Sequence, residues 1–403
     1  MTQLPTELQK EIDSLLERQP FAGREDMSPT SGKYSHPLCQ ADKRGGYVES
    51  SRWNQFTAEM GVAFVQHKSP VRSSYDNDLL LCARYFMFRN RMGLHLKGQV
   101  SKALKVGTLY HWMSEAIYAG KNVNEALVFA SKKLSDMNDI LAKDADESGL
   151  LPGAVPIEKV VAENEQAFSL AQVMFLCGYD TFFSAPWLIQ EGWTPLLTEE
   201  VLEIRYNGIA VPIRCKPDAL MVQKDTGDIM IVGHKTVGRS LTLAAASYRW
   251  AFQARLEHLI VQTAFPDHKV RYYCQNMILK PTIKFPTKNS PTFPDYLTNV
   301  RQWYADRIAK DPNDLPMIQS RIGLPPDAMT RELYIRIHEL ARASACWPSP
   351  DRFYRNDSAC GGKYGNSLCP FYSLCSTDES AWKDLIDHNY TISFREDEED
   401  AEE

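Results

Sequence analysis

Two hydrophobic periods run along this chain, and the change from one to the other divides it. Residues 5–18 (PTELQKEIDSLLER) carry one apolar stripe at helical spacing and predict a short amphipathic helix. From Pro20 to Ser74 no period holds. Gly, Ser and Pro are frequent there, and Arg24, Lys33, Lys43, Arg44 and Arg52 interleave with Tyr34, Tyr47 and Trp53. That texture fits an irregular segment, either touching a nucleic-acid backbone or lying as a plain surface loop. Helical spacing returns at 76–91, 98–119, 123–145 and 157–180. It then gives way to short β-rich runs, Leu197 to Tyr206, Ile209 to Gln223 and Ile229 to Lys235. Asn207-Gly208 and Asp225-Thr226-Gly227-Asp228 separate them, and both are hairpin signals. A helix at 242–264 and a strand at 269–280 complete an α-β-β-β-α-β order. The fold class this predicts is α/β, a mixed central sheet flanked by helices. The Pro-rich stretch 281–295 leads into helices at 296–309 and 329–344, and no internal repeat is visible.

Composition narrows the function classes. At 403 residues, 44% hydrophobic and 24% charged, the chain has enough apolar surface for one large or two smaller cores. No apolar run approaches the length of a membrane span, and the first residues lack the basic start and apolar stretch of a secretory signal, so a cytoplasmic protein is expected. The nine cysteines therefore do not read as a disulfide framework. The net charge of −6 looks unsuited to a nucleic-acid partner, yet seven acids lie in Glu396–Glu403 alone, and without them the balance is +1. That acidic end reads as a solvated tail or a partner-binding segment.

The stretch richest in chemistry is Cys215-Lys216-Pro217-Asp218-Ala219-Leu220 followed by Ile229-Met230-Ile231-Val232-Gly233-His234-Lys235-Thr236. Hydrolysis of a phosphodiester needs a divalent cation, and Mg²⁺ or Mn²⁺ is bound by carboxylate oxygens with water and substrate phosphate. Asp218 on one strand of a hairpin and Lys235 on the next supply a carboxylate and an ammonium that orients water or neutralises developing charge. Alternation along the strand puts residue 233 on the face of Lys235.

A second constellation is Cys360-x₈-Cys369-x₅-Cys375. Zinc modules use close cysteine pairs, which this spacing lacks, whereas iron–sulfur clusters take four thiolates at varied spacings. Three cysteines leave one ligand to come from elsewhere; Cys346 is one source, and a zinc site in the same residues stays open.

Taken in order, these motifs resemble the RecB-like branch of the PD-(D/E)XK nuclease superfamily. The helix motif Gly107-Thr108-Leu109-Tyr110-His111, the Asp218 and Lys235 strands, and Gln253 on the helix after them match that branch. Leu81-Cys82-Ala83-Arg84-Tyr85 is similar to the start of its iron–sulfur members, among them CRISPR-associated and phage exonucleases. The resemblance runs from Cys82 to Cys375. It implies a restriction-endonuclease-like sheet with a C-terminal four-cysteine cluster region. It also implies Mg²⁺ or Mn²⁺ on His111, Asp218 and the backbone carbonyl of His234, catalysis by Asp218, Lys235 and Gln253, and a 4Fe–4S cluster on Cys82, Cys360, Cys369 and Cys375. The implied division is 1–75 for the N-terminal helix and irregular segment, 76–295 for the nuclease core, 296–390 for a helical region with the iron–sulfur cysteines, and 391–403 for the acidic tail. DNA ends or single strands are the implied substrate, contacted by Lys216, Arg239, Arg249 and Arg255. A single-strand annealing protein or recombinase is the implied partner and a bacterial host cell the setting; nothing in the residues argues against an oligomer.

In one place the sequence departs from the family. Gly233 stands where the family has Asp or Glu. Two alternatives account for it: cleavage is lost while Lys235 still binds phosphate, or the acid has moved to Glu257, one turn after Gln253, or to Glu115, one turn after His111. A third, a protein that binds DNA and keeps the fold without cutting, belongs to a different function class.

Overall fold

The computed structural model describes residues 71–72, 78–96, 102–148, 157–185, 188, 190–205, 211–238, 240–248, 251–283, 293–311, 315–323, 327–345, 356, 360 and 369–392. The helix expected at 5–18, the Asn207-Gly208 turn, Arg239, Arg249, Cys346, most of the Pro-rich stretch and the acidic residues from Glu396 onward lie outside them. The chain forms two compact units. One holds residues 100–201 and 216–324; the other holds 202–215 and 325–403 together with residues 20–99.

The first unit is a mixed α/β body. Its elements in chain order are α1 (Lys102–Tyr118), α2 (Val123–Ser148), α3 (Ile157–Phe182), β1 (Trp193–Thr198), β2 (Ala219–Gln223), β3 (Ile229–Val237), α4 (Leu241–Tyr248), α5 (Phe252–Ala264), β4 (Val270–Leu279), α6 (Phe293–Lys310) and β5 (Met317–Ile322). The five strands form one sheet in the order β1-β2-β3-β4-β5. All neighbours are antiparallel except β3 and β4. A parallel pair needs a crossover, and α4 with α5 supplies it. The central strands read as expected of strands covered on both faces: Ile229, Met230, Ile231 and Val232 of β3 are all buried, as are Cys274, Met277 and Ile278 of β4. The β2–β3 turn closes with Gly227 at φ +70°, a left-handed conformation that glycine adopts without steric cost.

Helices α1, α2, α3 and α6 bury a common core that includes Leu109, Tyr110, Met113, Ala126, Ala130, Met174, Phe175 and Val300. The α1–α3 contact is close at Gly178. A Cβ there would lie 3.1 Å from the Phe182 ring and 3.3 Å from the Tyr110 hydroxyl. With Tyr110 thus seated in the core, the rotation of α1 is fixed, and His111 is turned toward the sheet's polar end.

Four features differ from the sequence expectation, the first being that the run Leu197 to Tyr206 breaks between β1, which ends at Thr198, and a separate strand Leu202–Ile204. The run 209–223 is two strands, Ile213–Cys215 and β2, because Pro217 cannot donate to a ladder. The helix expected at 242–264 is two, with Ala251 in extended backbone between them. Strand β5 was not expected at all; its sequence MIQSRI does not alternate strictly.

In the second unit, a short helix Ala83–Phe86 runs into a π-helical turn Met87–Arg91, and Leu94–Leu96 pairs antiparallel with Tyr390–Ile392. Leu202–Ile204 pairs with Ile213–Cys215. Helices Asp327–Ala345 and Trp382–Asn389 complete it. Its core is aromatic: Phe88 lies 5.1 Å from Trp382 and 5.3 Å from Phe371 between ring centroids, and Phe371 stacks on Tyr390 at 5.8 Å. Among the described residues no helix is long and apolar enough to cross a membrane.

Candidate active site

The polar end of the first unit's sheet gathers three ligand-type side chains. His111 comes from α1, Glu199 from the turn after β1, and Asp218 from the residue before β2. The His111 Nδ1 lies 3.1 Å from Asp218 Oδ1 and 3.9 Å from Glu199 Oε1. Among the described residues this is the one group of three or more whose ligand atoms all fall within 4.8 Å of one another. Glu199 Oε2 also meets Lys216 Nζ at 3.6 Å.

Local structure explains each placement. Asp218 accepts the backbone N–H of His234 at 2.5 Å, which ties its carboxylate to β3 just beyond the last β2–β3 pair, Ala219 with Val232. Glu199 stands at φ +54°, in the left-handed region a residue with a Cβ adopts only at a cost of about 1–2 kcal/mol. That turn folds its carboxylate back over the sheet end. The imidazole of His234 is buried among Tyr110, Tyr118, Phe182 and Phe183, stacked on Phe183 at 5.2 Å and bonded through Nε2 to the Tyr118 hydroxyl at 2.9 Å. Burial lowers it to about 3, so it stays neutral and anchors β3.

The electrostatics favour a bound cation. Burial alone would raise Asp218, but His111 overrides this, with Lys235 adding to it, and holds the carboxyl well below its usual range. Burial likewise opposes protonation of His111, yet Asp218 and then Glu199 raise it to about 10. Burial and the Asp218 charge push Glu199 upward against His111 and Lys216. Two crowded carboxylates therefore share the charge of His111, with Lys216 beside Glu199 and Lys235 near Asp218.

Lys235 projects from β3 beside this triad. Its Nζ donates to Gln253 Oε1 at 3.1 Å, Gln253 Nε2 donates to Glu257 Oε1 at 2.7 Å, and Tyr273 OH donates to Glu257 Oε2 at 2.7 Å. The sequence-marked residues Lys235, Gln253 and Glu257 are thus brought together, on α5 and β3. Glu115 is not with them; it faces Lys133 of α2 at 3.3 Å. Arg255 is buried at 3% exposure, so it is not the surface phosphate contact the sequence suggested. Lys216 sits on Glu199. Gly233 pairs with Gln275 of β4, and a Cβ at 233 would fall 2.7 Å from the Tyr273 hydroxyl. Glycine is what lets that hydroxyl in.

Glu199 was not singled out from the sequence. Its signal was slight: the first of two adjacent acids in what reads as one continuous strand.

Burial raises Glu257 to about 7 against the donors Gln253 and Tyr273, with Asp218 adding and Lys235 opposing. Because the folded pKa lies above the ordinary 4.5, the stability this group allows is intact below about pH 4.5 and is lost as pH climbs to about 7. Glu257→Gln removes that loss. Its melting temperature should gain on the wild type between pH 5 and 7.5, by the equivalent of about 3 kcal/mol. A difference that stays flat across that range would contradict the assignment.

The second unit holds the four marked cysteines. Cys82, Cys360, Cys369 and Cys375 line one small pocket with Leu81, Tyr85 and Phe371. The Asn356 N–H approaches Cys82 Sγ at 3.4 Å, and the Cys369 N–H bonds the Cys360 carbonyl at 3.1 Å. Burial pushes Cys375 up to about 12 against Arg84, and Cys369, Cys82 and Cys360 each add to the rise. Cys369 is raised too, first by burial. These sulfurs are near enough to repel one another as thiolates, which is what a cationic core relieves.

No family model matches the chain, and no curated protein matches it. Among solved structures, a protein from Eubacterium rectale provisionally named an exonuclease is similar to it, at 14% identity and a TM-score of 0.31, over 70% of this chain and 92% of that one.

Proposed function

We propose that this chain is a divalent-metal-dependent DNA nuclease with a restriction-endonuclease-like core of the RecB-like PD-(D/E)XK kind. Its substrate would be DNA ends or single strands, and its setting recombination or replication in a bacterial cell, beside a single-strand annealing protein or recombinase. The observation that carries the reading is the meeting of His111, Glu199 and Asp218 within 4.8 Å, with Lys235 close enough for its charge to help keep Asp218 ionised.

One imidazole and two carboxylates are a donor set suited to Mn²⁺ or Mg²⁺, with the His234 carbonyl as a further ligand. A bound cation supplies Lewis-acid chemistry, polarising the phosphate and making water a better nucleophile. The chain's own groups do the rest. Asp218 and Glu199 hold negative charge at the site, His111 gives up its proton to become a ligand, and Lys235 offsets charge that builds on the phosphate. Gln253 keeps the lysine pointed.

The four cysteines would hold a 4Fe–4S cluster. What favours iron–sulfur over zinc is the sequence spacing Cys360-x₈-Cys369-x₅-Cys375, which has no close cysteine pair. When bound, the cluster would cross-link segments distant in sequence and contribute to folding.

Gly233 favours a second reading, a DNA-binding protein that keeps the fold without cutting. Incubating a 5′-labelled single-stranded oligonucleotide with Mn²⁺ separates the two. The expected result is cleavage by the wild type that EDTA stops. Should the wild type fail while Gly233→Asp with Tyr273→Phe cleaves, the site is a nuclease that has lost its acid. Should neither cleave while DNA is still retained, the second reading replaces the first.

A further inference from the structure

Five side chains close a ring around Gly233. Lys235 Nζ donates to Gln253 Oε1 at 3.1 Å, and Gln253 Nε2 donates to Glu257 Oε1 at 2.7 Å. The Tyr273 hydroxyl donates to Glu257 Oε2 at 2.7 Å and lies 3.0 Å from the Tyr248 hydroxyl. The Tyr248 ring comes back to the start, with Lys235 Nζ 6.0 Å from its centroid, the outer limit of cation–π reach. No member belongs to the His111–Glu199–Asp218 triad. All five lie on β3, α4, α5 and β4, the single crossover that joins the parallel strands.

Two details make the ring more than a set of neighbours. The first is exclusion at position 233. A Cβ there would sit 2.7 Å from the Tyr273 hydroxyl and 3.3 Å from both its Cε1 and Gln275 Oε1. Any side chain at 233 therefore contests the space in which Tyr273 reaches Glu257. The second is polarity. A carboxylate accepts only, so Glu257 selects the amide edge of Gln253 that donates, and the carbonyl edge is left for the ammonium of Lys235. Reversed, that amide would point N–H groups at a cation.

We propose that Glu257 is a positioning residue for Lys235, acting through Gln253 on one side and through Tyr273 and Tyr248 on the other, and that Gly233 is the opening this ring requires. In place of a carboxylate on the lysine's own strand, the chain fixes the ammonium from the opposite direction, out of the helix. The inference rests on the nuclease reading for what Lys235 does with substrate, but not for the ring itself.

The ring is tested by thermal melting at one fixed pH, using double-mutant cycles. Gly233→Ala should lower the melting temperature by about 3 °C in the wild type and by less than half as much when combined with Tyr273→Phe. Lys235→Met and Glu257→Gln, which share no direct contact, should combine non-additively. Equal costs in both backgrounds, or strict additivity of the second pair, would overturn the proposal. The lysine's task is tested by oligonucleotide cleavage in Mn²⁺. Glu257→Gln should lower kcat about tenfold with KM unchanged, since it lets the Gln253 amide turn over. Adding Gln253→Glu to it reverses the bond. The new carboxylate meets the ammonium directly, the new amide donates to it while accepting from Tyr273, and kcat should recover most of the loss. A merely structural role predicts no such recovery, and its absence would sink the positioning claim. If neither the wild type nor Gly233→Asp with Tyr273→Phe cleaves, the nuclease reading falls, while the melting cycles still decide the ring.

Discussion

Asp218→Asn should remove Mn²⁺ binding at the proposed cation site and lower the proposed cleavage rate on the order of 10³-fold. The substitution keeps the shape and changes the charge, so its effect isolates electrostatics. Asp218 is the group that His111 faces at 3.1 Å and that accepts the His234 N–H. An amide there presents either a neutral oxygen or a donor against a donor. Without that anion, the proton that now resides on His111 loses its main partner, since Asp218 outranks Glu199 in raising the imidazole. The site then has one carboxylate and no second charge to hold a divalent ion. Electron paramagnetic resonance of Mn²⁺ titrated into protein reads the first effect, and oligonucleotide cleavage reads the second. Wild-type Mn²⁺ affinity in the variant would remove the cation site from the proposal.

On the proposed iron–sulfur reading, Cys375→Ser should empty the second unit of iron and loosen it. Cys375 ends the helix Tyr372–Cys375, bonded through its N–H to the Phe371 carbonyl at 3.0 Å, with Phe371 at the hub of the aromatic core. A serine hydroxyl is a poor ligand for iron and three thiolates do not close a cubane. Protein purified without oxygen should therefore lose its absorbance near 400 nm and nearly all of its iron. Protease should cut the region 325–392 well before the first unit, because a cluster bound there would contribute folding free energy. If iron content and absorbance match the wild type, the cluster assignment is wrong. If zinc is found in place of iron, the fold of the cysteine region stands and the cofactor changes.

Much of the architecture was legible before any coordinates. The switch of hydrophobic period from helical to alternating near residue 190 marks where α3 ends and the sheet begins, and the covered strand β3 opens on the apolar run Ile229–Val232. The meeting of His111, Asp218 and Lys235 follows from motif order, since a hairpin brings 218 beside 234 whatever the rest of the fold does. Glu199 was not legible, because its position depends on one left-handed residue that breaks an apparently continuous strand. Alternation predicts which face a strand residue takes; it says nothing of a residue that leaves the strand. Tyr273 was invisible for another reason. It is one aromatic among several on a buried strand, and its importance arises from the missing side chain at 233, forty residues away and on a different strand. The break at Pro217 could have been read, since proline interrupts a ladder wherever the strand is central.

Position 199 also carries a cost. A chain selected only to resist heat would drift to glycine there, since glycine takes φ +54° freely and the glutamate does not. Burying an acid beside a second acid adds to the burden. Glutamate at 199 therefore costs stability on both counts, and the cost falls on the carboxylate that completes the cluster with His111 and Asp218.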